Sequence, residues 1–222
     1  MPYSDTFDRL FRDSRAALLA GRHQCETAPV EGGPRFGLSV VLRPDGETAE
    51  RLQTVCTDAQ VAAGGGHWPS GDADLVHFTV RTLETHRAAI PKDDGALRRY
   101  VTALRRSGRG PIRLRLTGLT LTSSGVMACA CPVDTAADAF AWALADELGA
   151  DGWFEAGIRR DIWYAMVLHF AGPIRSPRTL IDWVTARRRL GLGETTIGSA
   201  QLCQWVPDRR RPAPRVLATV RL

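Results

Sequence analysis

The chain has 222 residues, a hydrophobic content of 44% and a formal net charge of +5, values typical of a globular protein with one large or two small domains. No apolar run approaches the roughly 20 residues that span a bilayer, which excludes a membrane-spanning helix. The N-terminal stretch 1–20 mixes acids, arginines and apolar side chains, a pattern that predicts an amphipathic helix and argues against a secretory signal.

The cysteines and arginines indicate the cellular compartment of the protein and the kinds of partner that it could bind. The five cysteines include no Cys-x-x-Cys pair, so neither a zinc site nor a disulfide framework is supported. We expect buried thiols in a reducing cytoplasm, with no metal or other cofactor. Lys92 is the only lysine, and arginine suits phosphate recognition because its planar fork binds two oxygens at once. The arginine runs 187–189 and 209–211 could contact a nucleic acid, although a charge run is usually a solvated surface.

Periodicity predicts a strand–helix–strand–helix–strand order that occurs twice after an N-terminal helix. The first copy has strands at 36–42, 75–80 and 111–121, with helices around Leu52 and Tyr100. The second copy has strands at 126–131, 162–170 and 195–206, with helices around Phe140 and Trp183, and a last strand covers 216–222.

An internal alignment indicates a duplication. Residues 100–106 match residues 183–189 at an offset of 83, and the same offset pairs Leu114 with Ile197. Because the matches keep the order of the elements, duplication is favoured over chance. We therefore predict an α+β, duplicated two-lobed βαβαβ fold, whose antiparallel-rich sheets face each other across a central cleft.

The predicted helix before the first copy of the pattern gives the expected domain limits. An N-terminal helical extension covers residues 1–34, and a single domain covers residues 35–222. Its two lobes comprise about residues 35–122 and 123–222, and strands can be exchanged between them.

The strand at 75–80 carries the most informative residues. Alternate side chains of a strand share a face, so His77, Thr79 and Arg81 are expected to point the same way. An imidazole beside a hydroxyl can move a proton and bind an oxyanion. His67 and Trp68, in the Gly-rich loop before this strand, could stack on a base or serve only in loop packing.

A duplicated α+β pattern with His-x-Thr-x on a central strand resembles the 2H phosphoesterase superfamily, the bacterial 2'-5' RNA ligase-like and cyclic phosphodiesterase-like proteins. The resemblance covers most of the chain after about Arg35 and implies a metal-free hydrolase acting on a 2',3'-cyclic phosphate or a 2'-5' linkage. Each lobe of such an enzyme would contribute one imidazole and one hydroxyl. His77 and Thr79 fit the first motif residue for residue, and Arg81 would add a phosphate contact.

The second motif departs from this pattern, and two registers compete for it. His169 is an obvious candidate, but Ala171 lacks the hydroxyl that should follow. The internal repeat instead places Tyr164 opposite His77. Met166 then occupies the position of the expected hydroxyl residue, where it would contact the substrate. Pairing Tyr164 with His77 needs a four-residue difference in the loop before the next helix, whereas His169 needs nine, so we prefer Tyr164 and keep His169 as the alternative. Alternation puts positions 164 and 169 on opposite faces unless a bulge intervenes.

Three functions remain open at this point. The first is a 2H-type phosphoesterase, weakened by loss of the second motif, that acts on RNA or a nucleotide. The second is a repurposed scaffold that performs non-phosphate acid/base chemistry on a small molecule in specialised metabolism. The third is a non-catalytic RNA-binding module. The expected partner in each case is a nucleotide, an RNA end or a small molecule in the cleft, with no membrane and no obligate protein partner.

Overall fold

The computed structural model describes residues 2–158, 160–208 and 211–222. The helices are α1 (Pro2–Leu19), α2 (Gly46–Ala63), α3 (Gly95–Ser107), α4 (Ala136–Leu148) and α5 (Pro177–Thr185), and a 3₁₀ segment, Gly149–Glu155, follows α4. The strands are β1 (Ser39–Leu42), β2 (Phe78–Thr82), β3 (Ile112–Thr122), β4 (Gly125–Pro132), β5 (Trp163–His169), β6 (Gly193–Ile197), β7 (Ser199–Pro207) and β8 (Pro212–Arg221).

Polar caps in the sequence set where several helices begin. Asp45 and Asp94 each accept a hydrogen bond from a backbone N–H three residues further on, at 2.8 Å in both cases. Ser176 does the same for α5, with Pro177 in the first turn. Such caps satisfy a donor that the first turn leaves unpaired. Each helix in the described ranges is too short or too polar to cross a bilayer.

The predicted α+β fold with antiparallel strands is confirmed. Within the described residues the strands form an eight-stranded sheet in the order β6-β3-β4-β5-β2-β1-β7-β8, and all neighbours are antiparallel. The two central strands, β2 and β5, are joined by a single residue pair, Phe78 with Ala165. Two groups of four strands therefore meet at this junction.

Each group of four strands draws on both halves of the chain. β3, from the first half, lies between β4 and β6, whereas β7, from the second half, lies between β1 and β8. The strand order is thus symmetric about the β2–β5 junction. The predicted equivalence of Leu114 and Ile197 is wrong, because these residues lie on neighbouring strands, β3 and β6, of the same group.

Each central strand contains a β-bulge. Val80 has no partner in the ladder between β2 and β1, and Val167 has none in the ladder between β5 and β4. A bulge shifts the alternation of side chains beyond it by one residue. The two bulges lie 87 residues apart, and the same spacing separates His77 from Tyr164.

The segment after α1, residues 20–37, has no regular secondary structure; we call it the strap. Its backbone N–H groups at Gln24 and Glu26 donate to Ser123 and Phe170 at 2.8 and 2.7 Å. Further on, Gly33 accepts from the backbone of the loop after β2 at 2.8 Å. The strap is therefore bound to both groups of strands.

Phe78→Ala should lower the free energy of unfolding by about 3–5 kcal/mol, because the ring is fully buried at the β2–β5 junction and its removal leaves a cavity. Urea unfolding followed by circular dichroism measures this loss. The control Val61→Ala shortens a side chain that is 79% exposed, so its effect should stay within about 0.5 kcal/mol. Equal losses for the two variants would contradict this role of Phe78.

Candidate active site

A cavity of about 210 Å³ lies over β2 and β5 and reaches the strap and the loop before β2. Three kinds of side chain line it. The polar and titratable ones are His77, Thr79, Thr82, Ser70, Tyr164 and His169; the arginines are Arg35, Arg160 and Arg211; the larger apolar ones are Phe36, Trp68, Met166 and Trp205. Of the residues that the sequence predicted for the site, the structure therefore places six around one cavity: His77, Thr79, Tyr164, His169, Trp68 and Met166.

His77 lies immediately before β2 and is held by its own backbone turn. Its Nδ1 contacts the carbonyl oxygen of Leu75 at 2.7 Å. Because a carbonyl oxygen only accepts, Nδ1 must carry the hydrogen, and Nε2 of the neutral ring has a lone pair. The ring packs on Trp205 with centroids 4.8 Å apart. Burial lowers the pKa of His77 to about 4, so the ring is neutral at neutral pH.

The bulge at Val80 decides which side chains of β2 reach the cavity. Thr79 and Thr82 both line it, and neither hydroxyl has a hydrogen-bond partner among the described side chains and backbone groups. The prediction for Arg81 is wrong. Its guanidinium donates to the carbonyl oxygens of Gly152 and Glu155, at 3.2 and 2.8 Å, and braces the 3₁₀ segment instead of lining the cavity.

The bulge at Val167 has the corresponding effect on β5. Tyr164 and Met166 line the cavity before the bulge, and His169 lines it after the bulge. Uninterrupted alternation would put positions 164 and 169 on opposite faces, but the extra residue returns His169 to the cavity side. The two residues that competed for the second motif therefore occupy the same site.

His169 differs from His77 in its surroundings. Its Nδ1 contacts the hydroxyl of Ser70 at 2.5 Å, and its backbone forms a two-bond bridge with Trp68 at 2.9 and 3.0 Å. Burial lowers the pKa of His169 to about 3, and the positive charge of Arg35 adds to this shift, as does the charge that His77 carries when protonated. Both imidazoles are thus neutral at neutral pH.

Each arginine of the cavity is paired with a carboxylate. Arg35 pairs with Glu26, and Arg160 pairs with Glu155. Arg211 lies 2.5 Å from Asp72 and 3.2 Å from the carbonyl oxygen of Pro69. These pairs orient the guanidinium groups while leaving part of each at the cavity, which suits recognition of an anion.

Three aromatic residues form one wall of the cavity, which we call the aromatic wall: Phe36, Trp68 and Trp205. The ring of Phe36 lies 5.9 Å from that of Trp68 and 6.4 Å from that of Trp205, in tilted and edge-on arrangements. Phe36 has a φ of 60°, which costs a non-glycine residue about 1–2 kcal/mol. The buried His86 contacts its carbonyl oxygen through Nδ1 at 3.0 Å and holds this conformation.

Of the two roles left open for His67, the structure shows the packing role. The residue is 5% exposed, packs on Phe170 at 5.6 Å and accepts a hydrogen bond from the backbone of Ala171 at 3.3 Å. It therefore belongs to the core beside β5, whereas its neighbour Trp68 reaches the cavity. Sequence reasoning also missed Ser70, Arg35 and several other lining residues, because no local pattern distinguishes them from ordinary loop residues.

The described residues contain no group of three or more His, Cys, Asp or Glu side chains arranged to hold a metal ion. The proton-handling groups of the cavity are instead two imidazoles and a phenol, and its positive charges are guanidinium groups. This set can move protons and bind an anion.

No protein-family model and no curated protein matches this chain. Solved structures do match. E. coli LigT crystallised with 3'-AMP superimposes with a TM-score of 0.61 at 12% identity, over 84% of this chain and 98% of LigT. The chain has the LigT fold. A protein described as a phosphoesterase gives 0.60 at 14% identity over 84% and 98%, and the protein TT0787 of Thermus thermophilus gives 0.58 at 16% identity over 83% and 97%.

The LigT-like fold confirms the predicted architecture. Identities of 12–16% carry the fold but not the chemistry. The reaction must therefore be argued from the groups that this chain places around its cavity.

The stability of the protein should fall as the pH is lowered from 6.5 towards 4. Burial holds the folded-state pKa of His77 near 4 and that of His169 near 3, below the ordinary value of 6.5, so the unfolded chain binds protons first. Urea unfolding at several pH values measures the slope. The double variant His77→Asn/His169→Asn should show a shallower slope; an unchanged slope would contradict the burial of both imidazoles in neutral form.

Proposed function

We propose that this protein is a metal-independent phosphoesterase of the 2H type that hydrolyses a 2',3'-cyclic phosphate or a 2'-5' linkage of RNA or a nucleotide. The observation that carries the proposal is the pair of imidazoles, His77 and His169, in one cavity with three arginines. A phosphoryl group between them would meet a proton acceptor, a proton donor and fixed positive charges. The fold shared with LigT and with a protein described as a phosphoesterase supports the same reaction class.

The hydrolysis requires two proton transfers. One imidazole takes a proton from the attacking water, and the other gives a proton to the ribose oxygen that leaves phosphorus; each transfer contributes about 10²- to 10⁴-fold. The hydroxyls of Thr79 and Thr82 would donate hydrogen bonds to phosphoryl oxygens as charge develops on them. The arginine side chains at the cavity would stabilise the same charge, since each presents N–H groups held by a carboxylate.

We further propose that the second motif of the 2H pattern has been replaced in this chain. The 87-residue spacing of the two bulges relates His77 to Tyr164 and Thr79 to Met166, which supports the register preferred from the sequence. A phenol can donate a hydrogen bond through its hydroxyl but does not replace an imidazole as a base. Met166 would contact the substrate without donating one. His169 would then supply the second imidazole from beyond the bulge.

A nucleotide substrate is supported by the aromatic wall. Aromatic rings stack on bases of any sequence, contributing about 1–3 kcal/mol for each base. E. coli LigT has been crystallised with 3'-AMP, with ATP and with phosphate, which agrees with a nucleotide ligand for this fold. We propose that such a ligand reaches the protein in the cytoplasm, without a membrane or an obligate protein partner.

The aromatic wall also favours a second candidate, acid/base chemistry on an aromatic small molecule in specialised metabolism. Phe36, Trp68 and Trp205 would enclose an apolar ring, and the altered second motif would reflect a changed reaction. If this candidate is right, an uncharged aromatic compound should bind equally well with and without inorganic phosphate. If the protein is a phosphoesterase, inorganic phosphate should compete with the substrate for the cavity.

The arginine run 187–189 gives no support to the RNA-binding alternative. Arg188 pairs with Asp8 and donates to the carbonyl oxygen of Leu119 at 3.1 Å, and Arg187 stacks on Trp183 at 4.5 Å. In the run 209–211, residues 209 and 210 lie outside the described residues, and Arg211 is engaged with Asp72 at the cavity. These contacts serve the fold and the cavity.

His77→Ala should lower kcat for hydrolysis of a 2',3'-cyclic nucleotide by about 10²- to 10⁴-fold, because it removes one of the two proton-transfer groups. The assay is carried out with EDTA, and the wild-type rate should not change when the chelator is added. His23→Gln is the matched control, since His23 lies outside the cavity and contacts the backbone of Gly172. An inert wild-type protein, or an unaffected His77 variant, would refute the phosphoesterase.

Trp205→Leu should weaken binding of 3'-AMP about tenfold while leaving inorganic phosphate binding unchanged, because it removes a ring of the aromatic wall but none of the arginines. Isothermal titration calorimetry measures both affinities. The control Trp153→Leu changes a ring that is 57% exposed outside the cavity and should leave both affinities unchanged. Equal affinities for 3'-AMP in the wild type and in Trp205→Leu would contradict a role of the aromatic wall in binding the base.

A further inference from the structure

The two imidazoles of the cavity differ in the group that contacts Nδ1. For His77 this group is the carbonyl oxygen of Leu75, at 2.7 Å, and for His169 it is the hydroxyl of Ser70, at 2.5 Å. A carbonyl oxygen can only accept a hydrogen bond, whereas a hydroxyl can accept or donate. The hydrogen of His77 is therefore fixed on Nδ1, but that of His169 depends on where Ser70 directs its own hydrogen.

The surroundings of Ser70 favour one direction. Its hydroxyl lies 3.4 Å from the carbonyl oxygen of Trp68, which can only accept. Ser70 can therefore donate to Trp68 and accept from Nδ1–H of His169, which leaves Nε2 of His169 with a lone pair. The reverse arrangement, in which Ser70 donates to His169, would forgo the contact with Trp68.

The loop that carries Ser70 is fastened to the end of β5. The backbone bridge between Trp68 and His169 precedes Ser70, and the N–H of Gly71 donates to the carbonyl oxygen of Val167 at 2.8 Å directly after it. A Cβ at position 71 would lie 2.9 Å from the Cβ of Cys56, so glycine is needed for this close approach. Ser70 is thus held on both sides in register with His169.

We propose that Ser70 is a positioning residue that keeps the hydrogen of His169 on Nδ1, so that His169 is the base of the reaction and His77 is the acid. This inference rests on the proposed function for its roles, but the tautomer itself is independent of any substrate. The direct carbonyl contact of His77 stabilises its protonated ring better than a hydroxyl does. The hydrogen-bond partners alone therefore favour His77 as the ring that carries the first proton.

The hydrolytic step forms one bond to phosphorus and breaks another. The oxygen of water forms a bond to phosphorus and gives its proton to Nε2 of His169, while the bond from phosphorus to the ribose oxygen breaks. That oxygen takes the proton from Nε2 of protonated His77, so the products are a phosphomonoester and a free ribose hydroxyl. Afterwards His169 carries the proton, which returns to His77 through solvent.

The tautomers can be measured directly with long-range ¹H–¹⁵N NMR spectra of protein labelled with ¹⁵N-histidine, recorded at pH 7 without substrate. We expect the Nδ1–H form for both His77 and His169 in the wild type. Ser70→Ala should move His169 to the Nε2–H form and leave His77 unchanged, whereas Ser70→Thr should keep both in the Nδ1–H form. A wild-type His169 in the Nε2–H form, or a tautomer insensitive to Ser70→Ala, would overturn the proposal.

Kinetics with a 2',3'-cyclic nucleotide test the consequence for catalysis. Ser70→Ala should lower kcat on the order of tenfold to hundredfold, with KM within about twofold, because it misorients a reacting group without removing it. Ser70→Thr should restore most of the rate, and Ser123→Ala, outside the cavity, should retain it. A rate unchanged by Ser70→Ala would overturn the positioning role.

The NMR spectra test the role of Ser70, whereas the hydrolysis assay tests the proposed phosphoesterase activity. If the wild type does not hydrolyse the nucleotide, the phosphoesterase fails, but the NMR spectra still decide whether Ser70 sets the tautomer. Should Ser70→Ala prove unfolded by circular dichroism, the wild-type and Ser70→Thr spectra decide the matter.

Discussion

The antiparallel contact between β2 and β5 is the constraint that creates the cavity. Only the pair Phe78 and Ala165 joins the two groups of four strands within the described residues, and both side chains are fully buried on the core side. Their immediate neighbours along each strand must point to the opposite side, which places His77 beside Met166 and Thr79 beside Tyr164. The bulges beyond this pair then bring Thr82 and His169 into the same space. A single buried contact therefore sets the positions of side chains that are far apart in the sequence.

The electrostatics of the cavity depend on what occupies it. Burial and nearby arginines disfavour protonated imidazoles, so both rings are neutral at neutral pH. An anion between them would have the opposite effect, because a negative charge within a few ångströms stabilises an imidazolium. The carboxylates that pair with Arg35, Arg160 and Arg211 restrain these side chains but do not themselves line the cavity. A phosphate-containing ligand would thus assist in generating the protonation state that its own hydrolysis needs.

The strap connects the predicted N-terminal extension, residues 1–34, to the site. The resemblance to the 2H superfamily begins near Arg35 and treats the preceding residues as an addition. In the structure, Pro34, Arg35, Phe36 and Gly37 line the cavity, and backbone hydrogen bonds fasten the strap to both groups of strands. The strained backbone at Phe36 is maintained by contact with buried His86, which indicates that the position of this ring is specified by the fold.

The strand predicted over 195–206 is in fact two strands, β6 and β7, which lie in different groups. The sequence by itself determined the order and type of most other elements and the shared face of His77 and Thr79. These properties are local: hydrophobic periodicity and the two-residue repeat of a strand act over a few neighbouring residues. Tertiary structure alone decided that Arg81 turns away, that His169 joins Tyr164, and that β3 and β7 exchange between the groups of strands. A bulge is defined by the ladder of the adjacent strand, and strand exchange by pairing between strands far apart in the chain, so neither leaves a local signal in the sequence.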